Sequence, residues 1–273
     1  MIKLRTLPNG FEFVEIKNAS AEAKIALSGG HIFAYQRVDE EPILWVSEKS
    51  AFEDGISIRG GIPICWPWFG INKDKDLPAH GFARTSRWGI VSTKEKDNNT
   101  SAITLKLLNN KFDLTLHVEV SKRLKIELKT RNVDNKPFKI TQALHTYFNV
   151  SDISDVKIFG LEDKPYLDAL SMKQKKQNGS IGFNQEVDRV YQEVDKTIVL
   201  KDKNRTLHLE NSGSFSSVVW NPWVDKCKRM SLEKDDMKED AYKEFVCIES
   251  ANAFDDFIIL KPNESHTLKA VIF

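Results

Sequence analysis

Apolar and polar residues alternate at every second position along much of this chain. In the stretch 112–120, FDLTLHVEV, the apolar side chains fall on one phase, and the stretch 124–130 repeats that phase after a short polar break. Successive side chains of a β-strand point to opposite faces of its sheet, so the two stretches predict a β-hairpin. The stretch 197–211, TIVLKDKNRTLHLEN, predicts a second hairpin that turns at Asp202 to Asn204.

Further strands are expected in most of the remaining chain, at 11–16, 23–28, 102–107, 215–220, 245–250, 256–260 and 266–273. Only the segment 226–245 has strong helical propensity, and its apolar positions are so sparse that a short helix and a polar loop both remain open. Many strands without a βαβ rhythm or an internal repeat predict an all-β protein, either a large antiparallel sandwich or a barrel. No linker-like tract divides the sequence, so residues 1–273 are interpreted as one domain.

Composition adds little beyond exclusions. The chain has 40 basic and 39 acidic side chains, a formal charge of +1, so we expect neither nucleic acid nor a membrane surface as its partner. The N-terminal stretch has no long apolar region, which favours a cytoplasmic protein. Cys65, Cys227 and Cys247 are widely spaced, which suggests neither a disulfide framework nor a zinc site. We expect a monomer without a metal site.

The loop 58–70, IRGGIPICWPWFG, is unusual because it combines helix-breaking residues with three large rings, Trp66, Trp68 and Phe69. Packing into the core would explain the rings, since each can bury roughly 150 Å². It would not explain Arg59, which stands beside two glycines where a backbone can approach a ligand closely. An anion site walled by aromatic rings is therefore the alternative, because the guanidinium fork suits carboxylate or phosphate. A single RGG could also indicate RNA binding, although one copy is a weak signal.

Three further polar residues stand in apolar surroundings: His80 in PAHGFAR, His145 in LHTYF, and Glu249 at the end of FVCIE. The histidines could be core residues with satisfied hydrogen bonds, and the glutamate could be a solvated strand end. If His145 and Glu249 converge, they suit paired proton transfer, in which one donates a proton while the other accepts one. Such chemistry needs neither a nucleophile nor a metal, and the familiar phosphate-loop, dinucleotide, esterase and metalloprotease motifs are absent.

Five motifs occur in an order that resembles the hexose-6-phosphate mutarotases, the glucose-6-phosphate 1-epimerase branch of the aldose 1-epimerase superfamily. The resemblance extends from about residue 10 to the C-terminus, and its motifs are IRGGIPICWPWFG, HGFAR, LHTYFNVSDI, EVDRVY (186–191) and FVCIESAN. It implies a galactose-mutarotase-like antiparallel β-supersandwich with few short helices. It also implies activity without a cofactor and a sugar pocket on one face of the sheet.

The resemblance implies roles for the polar residues. His145 matches the family's general acid and Glu249 its general base, which implies that the protein interconverts the α and β anomers of an aldohexose 6-phosphate, with glucose 6-phosphate as the expected sugar. Two alternatives remain: a mutarotase for unphosphorylated aldoses, and a non-catalytic carbohydrate-binding sandwich, since a fold does not fix a function.

The remaining matched residues are expected to bind the substrate. Arg59 and Arg84 match arginines that serve the 6-phosphate, His80 matches a histidine that supports the ring oxygen or hydroxyls, and Asp188 matches an aspartate in contact with the sugar. Relatives often carry Gln before the histidine of HGFAR, where this chain has Ala79. The sequence therefore predicts the reaction more strongly than it predicts the identity of the preferred hexose.

Overall fold

The computed structural model describes residues 1–72, 76–108, 111–195 and 197–273. Within these ranges the chain forms 22 β-strands, one α-helix and three short 3-10 turns. The strands are β1 (Ile2–Thr6), β2 (Glu12–Lys17), β3 (Ala21–Ala26), β4 (Ile32–Arg37), β5 (Ile64–Cys65), β6 (Gly89–Asp97), β7 (Thr100–Leu108), β8 (Phe112–Val120), β9 (Leu124–Asn132), β10 (Phe138–Ile140), β11 (Gln142–Leu144), β12 (Tyr147–Asn149), β13 (Lys157–Phe159), β14 (Pro165–Asp168), β15 (Lys173–Lys176), β16 (Val187–Tyr191), β17 (Ile198–Lys201), β18 (Thr206–Ser212), β19 (Ser216–Asn221), β20 (Phe245–Asn252), β21 (Ile258–Leu260) and β22 (Ser265–Ile272). The helix is α1 (Trp223–Lys234), and the 3-10 turns are Ala83–Thr85, Ile153–Asp155 and Ala241–Lys243.

Two eight-stranded sheets dominate the fold. The first, here called the hairpin sheet, has the order β13-β17-β18-β22-β9-β8-β7-β6. The second, here called the short-strand sheet, has the order β15-β14-β16-β19-β20-β11-β5, and β12 also pairs with β20. Strands β1 to β4 form a smaller sheet, and β10 pairs with β21. Every pairing described between named strands in these sheets is antiparallel, which confirms the all-β prediction.

Both predicted hairpins are present. Strands β8 and β9 pair from Val120 opposite Leu124 to Phe112 opposite Asn132, and their apolar phase is buried along the whole length. Strands β17 and β18 pair around the predicted turn. Local alternation determines these elements because one face of each strand meets the core and the other meets water.

Strand β20 separates two apolar clusters. Val246 and Ile248 point into the main core, which receives side chains from both large sheets, whereas Cys247 and Ala251 join a second cluster on the opposite face. Because side chains alternate along a strand, Glu249 shares the face of Cys247 and Ala251. The carboxyl group therefore lies on the outer face of the short-strand sheet. The strand is longer than predicted, since it continues to Asn252 with all eight residues buried.

The segment that the sequence left open is a helix followed by an irregular stretch. Helix α1 ends at Lys234, and a 3-10 turn follows at Ala241–Lys243. Only Cys227 and Ser231 of the helix are buried, which explains why its apolar positions are sparse. None of the described helices is long and apolar enough to cross a membrane.

Candidate active site

His145 and Glu249 meet on the outer face of the short-strand sheet. Glu249 stands opposite Val218 in β19, and its side chain is only 2% exposed. His145 lies between β11 and β12, where its backbone N–H donates to the carbonyl of Pro63. The imidazole Nε2 is 3.3 Å from Glu249 Oε1. Two residues that lie far apart in the sequence are thus in direct contact.

Burial pushes the protonation equilibria of this pair in opposite directions. Desolvation raises the pKa of Glu249 well above its ordinary value, and the nearby charge of Asp188 raises it further. Desolvation also lowers the pKa of His145 well below its ordinary value, and electrostatic interactions with His80 and Arg84 lower it further. Both shifts favour the uncharged forms, a protonated carboxyl group on Glu249 and a neutral imidazole on His145. The two side chains are called the dyad below.

Aromatic rings fix the orientation of the imidazole. The ring of Tyr147 stacks on His145 with a centroid distance of 4.9 Å, and Trp220 meets His145 edge-on at 6.2 Å. Tyr147 follows His145 by two residues, so both side chains lie on the same face. The stacked rings restrict rotation of the imidazole and keep Nε2 toward the carboxyl group.

His80 lies beside the dyad in a left-handed backbone conformation, with φ of +63°. Its Nδ1 accepts a hydrogen bond from the backbone N–H of Gly70 at 3.3 Å, and its ring packs against Phe69 and, at 5.9 Å, against His145. The following Gly81 is required, because a Cβ there would lie 2.0 Å from the carbonyl oxygen of Trp66.

Arg59 reaches the site from the glycine-containing loop. A Cβ on Gly60, whose φ is +111°, would lie 2.4 Å from the carbonyl oxygen of Trp45, so the tight turn requires glycine. The guanidinium donates through Nε and Nη2 to Asp236 Oδ2 at 3.1 and 2.8 Å. Its Nη1 donates to the hydroxyl of Tyr147 at 3.3 Å. Tyr147 thus connects this arginine to the dyad.

Arg84 belongs to the 3-10 turn 83–85. Its Nη2 donates to the carbonyl of Ala79 at 2.8 Å, so the residue at the position where relatives often carry Gln contributes its main chain to the site. Burial lowers the pKa of His80 to about 4, and the charges of Arg84 and Arg59 add to this effect. His80 is therefore neutral at physiological pH, and both predicted phosphate ligands lie close enough to influence it.

Asp188 lies on β16, opposite Trp220 of β19. Lys226 of helix α1 places its Nζ 3.6 Å from Asp188 Oδ2 and 2.7 Å from Glu186 Oε1. Burial raises the pKa of Asp188, and the ammonium group of Lys226 opposes that rise. Since the charge of Asp188 also raises the pKa of Glu249, the two carboxyl groups share one environment.

Several polar atoms at this site are buried without a partner. In the described part of the chain, four such atoms belong to site residues: Arg84 Nε, His145 Nδ1, Asp236 Oδ1 and Glu249 Oε2. An unsatisfied buried polar group costs about 1–3 kcal/mol, so native proteins rarely gather several of them without a ligand or water to bind. The arrangement is typical of a site for a polar ligand.

The three rings of the loop 58–70 have different surroundings. Trp66 is fully buried in the main core and donates from Nε1 to Thr130 Oγ1, as the packing interpretation predicts. Phe69 packs against the ring of His80 beside the site. Trp68 donates to the carbonyl of Pro78. The ring found beside Arg59 is instead Tyr147.

Sequence reasoning missed the partners of the predicted residues, namely Tyr147, Trp220, Lys226 and Asp236. Tyr147 had a local signal, since it lies two residues beyond His145 on a strand. Asp236 stands in a run of charged residues, KDDMKED, that is typical of a solvated loop. Among the described residues, no group of three or more His, Cys, Asp or Glu side chains could hold a metal ion.

Comparison with known families agrees with this arrangement. The family model for aldose 1-epimerases matches residues 12–272. The chain belongs to the aldose 1-epimerase family. It is therefore an isomerase that interconverts sugar anomers, which confirms the predicted enzyme class and the resemblance seen in the sequence.

Similar proteins extend over most of the chain. A protein of Escherichia coli K12, provisionally named glucose-6-phosphate 1-epimerase, is 33% identical over 95% of this chain and 90% of its own length. A protein of Cenchrus ciliaris with the same provisional name is 36% identical over 94% of this chain and 83% of its own length. The crystal structure of YeaD, a provisionally named mutarotase from Salmonella typhimurium, superposes with a TM-score of 0.90 at 32% identity, covering 99% of this chain and 92% of the other.

Structures of galactose mutarotase-like proteins confirm the predicted fold. One from Clostridium acetobutylicum superposes with a TM-score of 0.75 at 17% identity, covering 100% of this chain and 98% of the other. These matches assign no roles to individual side chains, so the roles of the six predicted site residues remain predictions.

Proposed function

We propose that this aldose 1-epimerase acts on an aldohexose 6-phosphate, with glucose 6-phosphate as its substrate. The observation that carries the proposal is the buried contact between His145 and Glu249, close to the charges of Arg59 and Arg84. The provisional names of relatives at 31–36% identity support the same substrate.

The contact between the two side chains fits the chemistry of a hemiacetal. The hydroxyl oxygen O1 and the ring oxygen O5 are both bonded to C1, so an acid and a base that act on them must be close together. Glu249 removes the proton of O1 while the His145 imidazolium protonates O5. The C1–O5 bond breaks, and O1 becomes the carbonyl oxygen of the open aldehyde.

The dyad returns to its starting form without an external proton. Before ring opening the proton is on His145 and the carboxylate of Glu249 is free, whereas after ring opening the carboxyl group is protonated and the imidazole is neutral. Rotation about the C1–C2 bond presents the other carbonyl face, and the same transfers in reverse close the ring. The two states differ in which side chain carries one proton, and without substrate burial favours the second state, with the carboxyl group protonated and the imidazole neutral.

The two arginines account for selection of a phosphorylated sugar. A hydrogen bond between a guanidinium and a phosphate is assisted by charge and contributes about 1.5–3 kcal/mol. Arg84 Nε is buried without a partner, and Arg59 retains N–H groups that Asp236 and Tyr147 do not use. A phosphate at this end of the site would satisfy these donors.

His80 and Asp188 are suited to bind hydroxyl groups. A neutral His80, whose Nδ1 is engaged with Gly70, has Nε2 left to donate a hydrogen bond to a sugar oxygen. Asp188 can accept hydrogen bonds from sugar hydroxyls on the other side of Glu249. The cytoplasmic location and the monomeric state remain predictions from the sequence.

Exchange spectroscopy by NMR tests this function with glucose 6-phosphate and glucose as parallel substrates. We expect the wild-type protein to accelerate anomer exchange of the phosphorylated sugar more strongly, and His145→Ala to lose this activity while keeping the native unfolding temperature. Equal acceleration of both sugars would favour the alternative, a mutarotase for unphosphorylated aldoses. Binding of both sugars without any exchange would instead identify a carbohydrate-binding protein.

A further inference from the structure

The segments 48–59 and 235–238 are joined by three ion pairs. The second segment directly follows helix α1 and was not predicted to have any role. The pairs are Glu48 with Lys238 at 2.6 Å, Lys49 with Asp235 at 2.6 Å, and Arg59 with Asp236 at 2.8 Å. The charges along one segment are thus complementary to those along the other.

Burial distinguishes the third pair from the first two. The side chains of Lys49 and Asp235 are 44% and 83% exposed, whereas those of Arg59 and Asp236 are 15% and 24% exposed. Exposed ion pairs contribute about 0–1 kcal/mol, because water screens them and the side chains lose entropy. Water screens the less exposed pair of Arg59 and Asp236 more weakly, so this pair restricts the position of its side chains more than the exposed pairs do.

Asp236 occupies one particular edge of the Arg59 guanidinium. A single carboxylate oxygen accepts hydrogen bonds from both Nε and Nη2, which are the two donors on the side edge. The end edge, formed by Nη1 and Nη2, is therefore the one left to bind a second anion in a forked arrangement. Tyr147 contacts Nη1 and stacks on His145, so this end of the guanidinium is directed toward the dyad.

We infer that Asp236 is a positioning residue, which holds the side edge of Arg59 so that the end edge receives the phosphate of the substrate. The inference rests on the proposed function, and it deepens that proposal by assigning the orientation of Arg59 to one carboxylate. Asp236 touches neither the dyad nor the reacting atoms, so its contribution falls on binding of the anion.

A carboxylate beside an anion site could also weaken anion binding, by competing with the anion for the arginine. If Asp236 competed with phosphate for Arg59, its removal would strengthen anion binding, because one negative charge would disappear. If it positions the guanidinium, its removal weakens anion binding, because Arg59 gains rotational freedom that binding must then restrict. The sign of the change in phosphate affinity therefore distinguishes competition from positioning.

Three variants separate charge from position. Asp236→Ala and Asp236→Asn remove the same charge, but the amide oxygen of asparagine can still accept from Nε and Nη2. Asp235→Asn is the matched control, since it removes the same charge from the adjacent residue and breaks the exposed pair with Lys49. The measurements are KM and kcat for glucose 6-phosphate and for glucose, and binding of inorganic phosphate followed by calorimetry.

We expect Asp236→Ala to raise the ratio of the KM for glucose 6-phosphate to the KM for glucose by about tenfold, and to weaken phosphate binding to a similar extent, as the loss of one well-oriented charge-assisted hydrogen bond would. Asp236→Asn should restore much of this loss, and Asp235→Asn should behave like the wild type. Unchanged or tighter phosphate binding in Asp236→Ala would overturn the inference, and so would equal losses in the alanine and asparagine variants.

The calorimetric measurement distinguishes failure of this inference from failure of the proposed function. A wild-type protein that binds phosphate in an Asp236-dependent way but exchanges neither sugar would contradict the proposed function and support the positioning role. A protein that exchanges glucose 6-phosphate rapidly with wild-type KM in all three variants would support the function and overturn the positioning role.

Discussion

Strands β6 to β9 of the hairpin sheet and the outer face of the short-strand sheet bury polar groups in very different ways. Strands β6 to β9 are nine residues long and pair by simple hairpins, and none of the described side chains of β8 and β9 has a buried polar atom without a partner. The short-strand sheet includes strands of only two to four residues, and its outer face gathers several unpaired polar atoms around Glu249.

Packing of apolar side chains stabilises the first region, whereas burial of ionisable groups lowers stability in the second. In the hairpin sheet, each large buried apolar side chain contributes roughly 1.5–3 kcal/mol, and no functional group interrupts the pattern. At the site, a carboxyl group and an imidazole are desolvated at a cost in stability, which raises the pKa of the first and lowers the pKa of the second. Substitutions in the two regions should therefore change different observables.

The largest effect is expected at the dyad. Glu249→Gln keeps the shape of the side chain but cannot accept a proton, so kcat for anomer exchange should fall by about 10²–10⁴-fold, the typical contribution of a positioned base. Polarimetry or NMR exchange measures the rate, and circular dichroism shows whether the fold persists. Exchange at the wild-type rate would contradict the assignment of Glu249 as the base.

A core substitution in the hairpin sheet should have the reverse effect. Leu116→Ala removes a fully buried side chain from the middle of β8, and it should lower the free energy of unfolding by about 2–5 kcal/mol. The rate of exchange per folded molecule should stay at the wild-type value. Urea denaturation measures the first quantity, and an activity assay well below the unfolding midpoint measures the second. A large loss of activity in the folded variant would mean that the two regions are not separable.

Arg84→Gln tests the anion end of the site. Losing a charge-assisted hydrogen bond of about 1.5–3 kcal/mol should raise KM for glucose 6-phosphate by about tenfold or more, with a smaller change for glucose. Arg87→Gln is the matched control, since Arg87 is an exposed arginine of the same loop that pairs with Glu12 and Asp54. Equal changes for both sugars in Arg84→Gln would indicate a structural role.

The smallest effect concerns the pH dependence of stability. Burial raises the pKa of Glu249 in the folded state above its ordinary value of 4.5, so its contribution to stability is fully present below that pH and is lost as the pH rises through the folded pKa. Relative to Glu249→Gln, the wild type should lose stability as the pH rises from 4.5, by at most about 1.4 kcal/mol per pH unit.

His145 and His80, whose lowered pKa values act in the opposite direction, are retained in both proteins, so the difference reports Glu249 together with its effect on the adjacent His145. Urea denaturation at a series of pH values measures it. A constant difference between wild type and Glu249→Gln across this range would show that the carboxyl group is not desolvated in the folded protein.

The two regions also differ in how well the sequence predicts them. Alternation predicted the hairpins because a strand with one buried face carries apolar residues at every second position of its own sequence. Glu249 and His145 were found through motifs, and the direct contact between them could not follow from periodicity. Asp236 carries no local signal, since its partner Arg59 lies on a distant loop. The sequence alone indicates an exposed helical position for Lys226. Its contacts with Glu186 and Asp188 depend on where helix α1 lies in the fold.

Strand β20 borders both the main core and the candidate site, since Val246 and Ile248 point to the first and Glu249 to the second. A slip of the whole strand by one residue would exchange the two sides, placing the carboxyl group of Glu249 in the apolar core and Val246 and Ile248 on the outer face. Such a slip would remove the proposed base from the site and disrupt the packing of the core in the same event.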